Sequence, residues 1–327
     1  MSGILITGGT GSFGHAFVRH LLASQDCPER VCILSRDEYK QHVMRETFSD
    51  PRMRYFVGDV RDKARLTLAF HGVETVVHAA ALKQVPTAEY NPAEAVKTNV
   101  QGSMNVLDAS REAGVKRVLL LSTDKACSPA TLYGATKLAA ERLFVAANSY
   151  GGPVSACTRY GNIIDSRGSV LPVWREAMKQ GQPIMVTHPE ATRFHMRQEQ
   201  AVELVLLALR EMRGGEVFIP KLRSYRLGDL AHLVAGQDGE VVGLRAAEKL
   251  HESLVSRDES RSARDYGDHL RLIPAHHPWR ENGVGGEPVT WLEYSSDQVV
   301  MSKEELKRAI FPGFQPRTWS DISEVAM

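Results

Sequence analysis

Near its start the chain runs Ile4-Leu5-Ile6-Thr7 into Gly8-Gly9-Thr10-Gly11-Ser12-Phe13-Gly14, and from His15 to Ala23 the apolar residues recur at helical spacing. A short β-branched run, a glycine turn and a helix in that order restrict the fold to a sheet with parallel crossovers. Each glycine has a mechanical reason to be there. Gly8 permits a tight turn, Gly11 lets backbone approach a pyrophosphate, and Gly14 lets the helix pack closely on the strand. The pyrophosphate then meets the free N-H groups and positive end of the helix. The whole segment, Thr10, Ser12 and Phe13 included, is a candidate dinucleotide site.

The same alternation continues. Val31–Leu34, Tyr55–Val57, Thr75–His78 and Val118–Leu121 read as strands, with amphipathic stretches at Lys63–Phe70 and Ala93–Ala113. A helix is expected from near Thr131 to Tyr150 and a sixth strand over Val154–Arg159. The spacing then predicts a loop over Gly161–Ser169, helices over Val170–Lys179, Glu199–Met212 and onward from Leu227, and a strand over Glu216–Ile219. From about Arg257 to Glu287 the pattern assigns no element. The expectation is an α/β protein, a Rossmann-type doubly wound parallel sheet with a smaller C-terminal α/β lobe. Residues 1–160 would form the dinucleotide-binding domain and 161–327 mainly the substrate lobe, with some later segments returning to the first domain.

Composition narrows the class of partner. Lys and Arg total 40 against 39 Asp and Glu, with no basic run to follow a nucleic-acid backbone. The start carries no basic leader with an apolar core, and no apolar run reaches the roughly 18 residues of a membrane span, so a cytoplasmic protein with no membrane partner is expected. Cys27, Cys32, Cys127 and Cys157 fit neither a metal-ligand spacing nor a disulfide framework and read as buried, reduced thiols.

The second strand ends Leu34-Ser35-Arg36-Asp37, which puts a hydroxyl and a guanidinium where an acid would bind ribose hydroxyls. Arg36 suits the 2′-phosphate of NADP, while Asp37 leaves NAD open. Asp59 and Val60, after the third strand, are placed to meet the adenine, and Ala79, Ala80 and Ala81 supply small residues where a strand end passes the cofactor. Tyr133 and Lys137, one turn apart on one helix face, form a catalytic pair in which a nearby ammonium and a positive nicotinamide lower the phenol's pKa. Upstream stands Ser122-Thr123-Asp124-Lys125-Ala126. Thr123 supplies the hydroxyl a dehydrogenase needs, but Asp124 and Lys125 suit a reaction that also removes a carbon-bound proton and protonates a leaving hydroxyl. Lys83, after another strand end, faces cofactor or substrate in this reading.

These residues resemble the C5-inverting UDP-N-acetylglucosamine 4,6-dehydratases of the extended short-chain dehydrogenase/reductase type. The likeness is carried by Thr7–Gly14, Ser35–Glu38, Asp50–Arg54, His78–Pro86, Ser122–Ala126, Tyr133–Lys137, Arg159-Tyr160-Gly161-Asn162, Ser166–Val170 and Glu248–Glu252. It implies a UDP-sugar substrate, NADP as cofactor with Tyr160 beside it, and a homo-oligomer. It further implies that Tyr133 deprotonates the C4 hydroxyl, Lys125 takes the C5 proton and Asp124 protonates the departing C6 hydroxyl before hydride returns to C6. Asn162, Arg167, Ser169, Arg193 and Arg245 become substrate contacts, with Val170, Thr187 and Glu248 in the same set. The chain departs from the pattern on the substrate side. Asp165, His195 and Arg197 replace a small residue, an aromatic and a threonine. Ala246-Ala247 replaces Pro-Gly, and Thr131 replaces Asn. Asp165 and His195 would stand beside the sugar. A nucleotide-sugar epimerase or reductase shares everything except a need for Asp124 and Lys125; a non-catalytic NADP-binding sensor has no need of Tyr133 with Lys137.

Overall fold

The computed structural model describes residues 3–166, 168–275 and 285–310. Its first part is a regular alternation: β1 (Gly3–Thr7), α1 (Ser12–Ala23), β2 (Arg30–Ser35), α2 (Glu38–Thr47), β3 (Met53–Val57), α3 (Lys63–Phe70), β4 (Thr75–His78), α4 (Val85–Tyr90), α5 (Pro92–Val96), α6 (Gly102–Glu112), β5 (Arg117–Leu121), α7 (Leu132–Ala147) and β6 (Val154–Thr158). Then follow β7 (Asn162–Ile163), α8 (Val170–Lys179), β8 (Met185–Val186), β9 (Thr192–Met196), α9 (Gln198–Glu211), β10 (Val217–Pro220), β11 (Ser224–Arg226), α10 (Leu227–Ala235) and β12 (Glu240–Val241). The remaining elements are β13 (Ser253–Val255), β14 (Ala263–Asp265), β15 (His269–Leu272), β16 (Glu287–Pro288), β17 (Tyr294–Ser295) and α11 (Lys303–Ile310).

The central sheet has the order β3-β2-β1-β4-β5-β6-β10-β15-β14-β16. Every pair from β3 to β10 is parallel, and β15, β14 and β16 add antiparallel edges. This is the Rossmann-type α/β architecture. The chain reverses direction across the sheet between β1 and β4, which opens a crevice at their carboxyl ends. Because helices cover both faces, β1 is buried along its whole length, and its uninterrupted apolar run follows from that.

The segment without a sequence assignment, from Arg257 to Glu287, contributes β14, β15 and the start of β16 to the central sheet. The helix expected over Ala93–Ala113 is divided: α5 and α6 flank a π-helical turn, Lys97–Gln101. Within that turn Asn99 accepts from the Leu82 N-H at 2.8 Å and donates to the Leu82 carbonyl and to Thr136 Oγ1, tying the loop after β4 to α7.

A second, smaller core lies under the C-terminal elements and includes Leu171, Trp174, Val186, Tyr225, Leu230 and Leu306. Trp174 fastens it by donating its indole N-H to the Met185 carbonyl at 2.9 Å. Arg159, just after β6, is buried and forked between Glu141 of α7 and Glu259, with contacts of 2.6 and 2.8 Å, and so clasps α7 to the segment that follows β13. Cys32, Cys127 and Cys157 are buried free thiols, whereas Cys27 is only half-buried.

Candidate active site

The turn between β1 and α1 needs glycine at two positions in particular. Gly8 has φ +66°, and a Cβ there would lie 2.8 Å from the Ala80 Cα; at Gly14 it would lie 1.9 Å from the Gly9 carbonyl oxygen. Backbone occupies both places, so no side chain rearrangement relieves either clash. Gly11 caps α1 with no side-chain hydrogen bond, leaving the helix N-H groups facing the crevice. A cavity of about 570 Å³ opens over this turn. Gly8, Thr10, Gly11, Ser12, Phe13 and Gly14 line it, with Ser35, Arg36, Asp59 and Val60 at one end and Ala79, Ala80, Ala81 and Lys83 along the β4 edge.

At the β2 end the acid and the guanidinium have different positions. Asp37 caps α2, accepting from the Lys40 N-H at 2.9 Å and pairing with the Lys40 ammonium at 2.7 Å. Arg36 remains 59% exposed with Asp59 at 3.9 Å, and Asp59 is itself paired with Arg61 at 2.7 Å. Burial pushes the Asp59 carboxyl up, but Arg61 and then Arg36 outweigh it and hold the group below the usual carboxylate range. Lys40, absent from the sequence-derived set, also lines the cavity. Its place three residues after an Asp helix cap was the available signal.

The other end of the cavity gathers Thr123, Asp124, Lys125, Tyr133, Lys137 and Tyr160. Thr123 caps a short 3-10 turn, Asp124–Ala126, against which α7 packs so closely that a Cβ on Gly134 would lie 2.1 Å from the Lys125 carbonyl oxygen. Thr131 starts α7 by accepting from the Gly134 N-H at 3.1 Å, a cap that Asn in the same place also makes. These two contacts fix Tyr133 beside the 3-10 turn, where its phenol hydrogen-bonds with Thr123.

Asp124 is 1% exposed, and its Oδ1 accepts from Thr123 Oγ1 at 2.9 Å and from Lys125 Nζ at 3.0 Å. Lys125 Nζ also lies 3.4 Å from Oε1 of the buried Glu252. Burial works against the Lys125 ammonium, yet Asp124 and Glu252 together push its pKa above the ordinary lysine value. Burial raises the Tyr133 phenol to about 12, only partly offset by Lys125. The expectation that a helical ammonium depresses the phenol is therefore corrected: the cation acting on Tyr133 is Lys125, and desolvation exceeds it. Lys137 instead donates to the Leu121 carbonyl at 2.7 Å, and burial lowers its pKa to about 8 against the pull of Glu141.

The substrate-side candidates divide. Asn162, Ser169 and Arg245 line the cavity with Lys83, joined by Gln84, Thr98 and Gln198. Among the described residues Asn162 Oδ1, Ser169 Oγ and Gln198 Nε2 are buried without a hydrogen-bond partner. Six other candidates lie outside the lining. Asp165 has φ +61° and points to solvent, paired with Arg175 at 2.6 Å. Val170 packs on the second core. Glu248 gathers two of the others, accepting from Thr187 at 3.3 Å and from Arg193 at 2.9 Å, and also accepts from the cavity-lining Arg245 at 3.0 Å. His195 is buried against Tyr225 with neither ring nitrogen hydrogen-bonded among the described residues, and burial lowers its pKa to about 4. Arg167 lies outside the described residues. In the Arg245–Glu248 turn Ala247 takes φ +61°, a conformation that glycine adopts without strain.

The chain is similar to known proteins over most of its length. A family model described as polysaccharide biosynthesis protein matches residues 4–274. The chain is 48% identical over 277 residues, 83% of each protein, to the UDP-N-acetylglucosamine 4,6-dehydratase (inverting) of Campylobacter jejuni subsp. jejuni serotype O:2. It is 42% identical over 280 residues, 82% of each protein, to the UDP-glucose 4-epimerase of Rickettsia canadensis. The crystal structure of Pen from Bacillus thuringiensis superposes with a TM-score of 0.87 at 36% identity, covering 94% of this chain and 96% of that one. With a glycine-turn crevice, a Tyr–Lys helix pair and a match over most of its length, the chain belongs to the polysaccharide biosynthesis protein family.

Proposed function

We propose that the protein is a nucleotide-sugar 4,6-dehydratase that takes UDP-N-acetylglucosamine, uses NADP, and inverts carbon 5. The observation that carries this reading is the buried Asp124–Lys125 pair, 3.0 Å apart, on the same cavity as Tyr133 and the glycine turn. The space over the glycine turn, with the uncapped N-H groups of α1 facing it, fits a dinucleotide pyrophosphate. The Arg36 guanidinium, with Asp37 engaged as a helix cap, favours a 2′-phosphate. Bound there, the oxidised nicotinamide supplies a hydride acceptor that becomes the hydride donor, and its positive charge favours a phenolate nearby.

The protein's own residues move the protons. Tyr133 takes the proton of the C4 hydroxyl, with Thr123 orienting the phenol. The resulting ketone acidifies C5. Lys125 is an ammonium at rest, so it becomes a base only after passing a proton to Asp124 along their hydrogen bond. That transfer leaves a neutral amine beside a carboxylic acid. The amine takes the C5 proton, the electron pair forms the C5–C6 double bond, and the C6 hydroxyl leaves as water with the Asp124 proton. Asn162, Ser169 and Arg245 hold the sugar nucleotide on the opposite wall.

The epimerase reading draws on the 42% identity with the Rickettsia canadensis protein. Epimerisation at C4 leaves Asp124 and Lys125 without a task, which favours the dehydratase. Incubation with candidate UDP-sugars and NADP in heavy water separates the two: loss of one water with deuterium at C5 is expected, and Lys125→Ala abolishes both. Dehydration that survives Lys125→Ala refutes the lysine's role, and C4 inversion without mass loss refutes the dehydratase.

A further inference from the structure

Glu252 is the charged group closest to the reactive pair that the proposed proton transfers leave unused. Its backbone is pinned on both sides by Ser296: the Glu252 N-H donates to Ser296 Oγ at 2.9 Å, and the Glu252 carbonyl accepts from the Ser296 N-H at 2.8 Å. Its side chain is 5% exposed, with Oε1 3.4 Å from Lys125 Nζ and Oε2 without a hydrogen-bond partner among the described residues. One amine thus lies between two buried carboxylates. The other groups facing it are Arg193 of β9, already paired with Glu248, and the phenols of Tyr133 and Tyr225. An unbalanced negative charge in a buried site is unfavourable unless it acts on a cation that forms there.

We propose that Glu252 is a positioning residue, resting on the dehydratase reading: it holds the Lys125 amine and keeps a negative charge beside it throughout the elimination. When Lys125 gives its proton to Asp124, the amine keeps a hydrogen-bond acceptor in Glu252 and so keeps its direction. When the C5 proton arrives, the N–H bond forms next to a standing negative charge, which stabilises the ammonium as it develops. The cycle closes with Lys125 an ammonium and Asp124 a carboxylate, as at the start. Glu252 exchanges no proton.

Glu252→Gln keeps the shape and removes the charge. With NADP and UDP-N-acetylglucosamine, wild-type water loss is measured first, which tests the dehydratase reading by itself. In the variant, cofactor reduction in the first turnover, followed by nicotinamide absorbance, is expected within about twofold of wild type, while water loss and C5 deuterium uptake fall about a hundredfold. A purely structural role lowers both steps together. Either that outcome or unchanged dehydration by the variant overturns the proposal. Should the variant not fold, the Lys125 side chain is titrated by heteronuclear NMR in the wild-type protein. Titration above the ordinary lysine value of about 10.5 supports the paired carboxylates, and titration at or below it overturns them.

Discussion

Lys137 is the residue whose chemical demand opposes the fold most directly, and replacing it with methionine is predicted to stabilise the protein. Its side chain is buried in α7, its ammonium donates to the Leu121 carbonyl at 2.7 Å, and burial lowers its pKa from 10.5 to about 8. At about 1.4 kcal/mol for each tenfold change in proton affinity, that fall corresponds to about 3 kcal/mol of penalty on the ammonium at neutral pH. Methionine keeps most of the stem volume but removes the hydrogen bond, worth about 1 kcal/mol. The carbonyl it abandons belongs to Leu121, one of the residues that line the cavity. The net expectation is a gain of about 1–2 kcal/mol at pH 7. The pH dependence follows in sign. The unfolded lysine holds its proton up to about 10.5 and the folded one only to about 8, so the wild-type penalty is complete below pH 8 and vanishes as pH rises to 10.5. Urea unfolding at pH 7 and at pH 10 measures the difference, which is predicted to shrink at the higher pH while turnover is lost at both. A Lys137→Met protein less stable than wild type at pH 7, or a difference constant with pH, refutes the reasoning.

The Arg159 clasp gives the opposite sign. Arg159→Met leaves Glu141 and Glu259 as buried, uncompensated carboxylates and is expected to reduce stability by about 3–5 kcal/mol in urea unfolding at pH 7. Burial raises Glu259, but Arg159 and the Ser256 N-H bring it down to about 2, so its contribution is present above pH 4.5 and lost as pH falls from there toward 2; acid unfolding followed by circular dichroism shows that loss in wild type and little of it in Glu259→Gln. On the cofactor side, Arg36→Ala removes a charge-assisted contact to a 2′-phosphate and is expected to weaken NADP binding roughly 10- to 100-fold while leaving NAD nearly unchanged, measured by calorimetry.

What the sequence determined is local. The glycine turn, the β-branched runs and the one-turn spacing of Tyr133 and Lys137 each operate within a few residues, and α3 and α8 have the bounds that periodicity predicted. The cofactor-side candidates gather on one cavity because a parallel sheet delivers successive strand ends to the same edge. Only the tertiary structure decided the rest. Strands β14, β15 and β16 are short and take their identity from antiparallel partners, not from their own pattern. Asp165 turned outward to Arg175, and Glu248 drew Arg193 and Arg245 together. Glu252 reached Lys125 from a segment far along the chain. Lys125 and Tyr133 acquired their proton affinities from burial and from charges brought in by packing. Backbone propensity and hydrophobic period act between near neighbours and so are written in order along the chain. Electrostatic partnership and desolvation depend on distance in space, which exists only once the chain has folded.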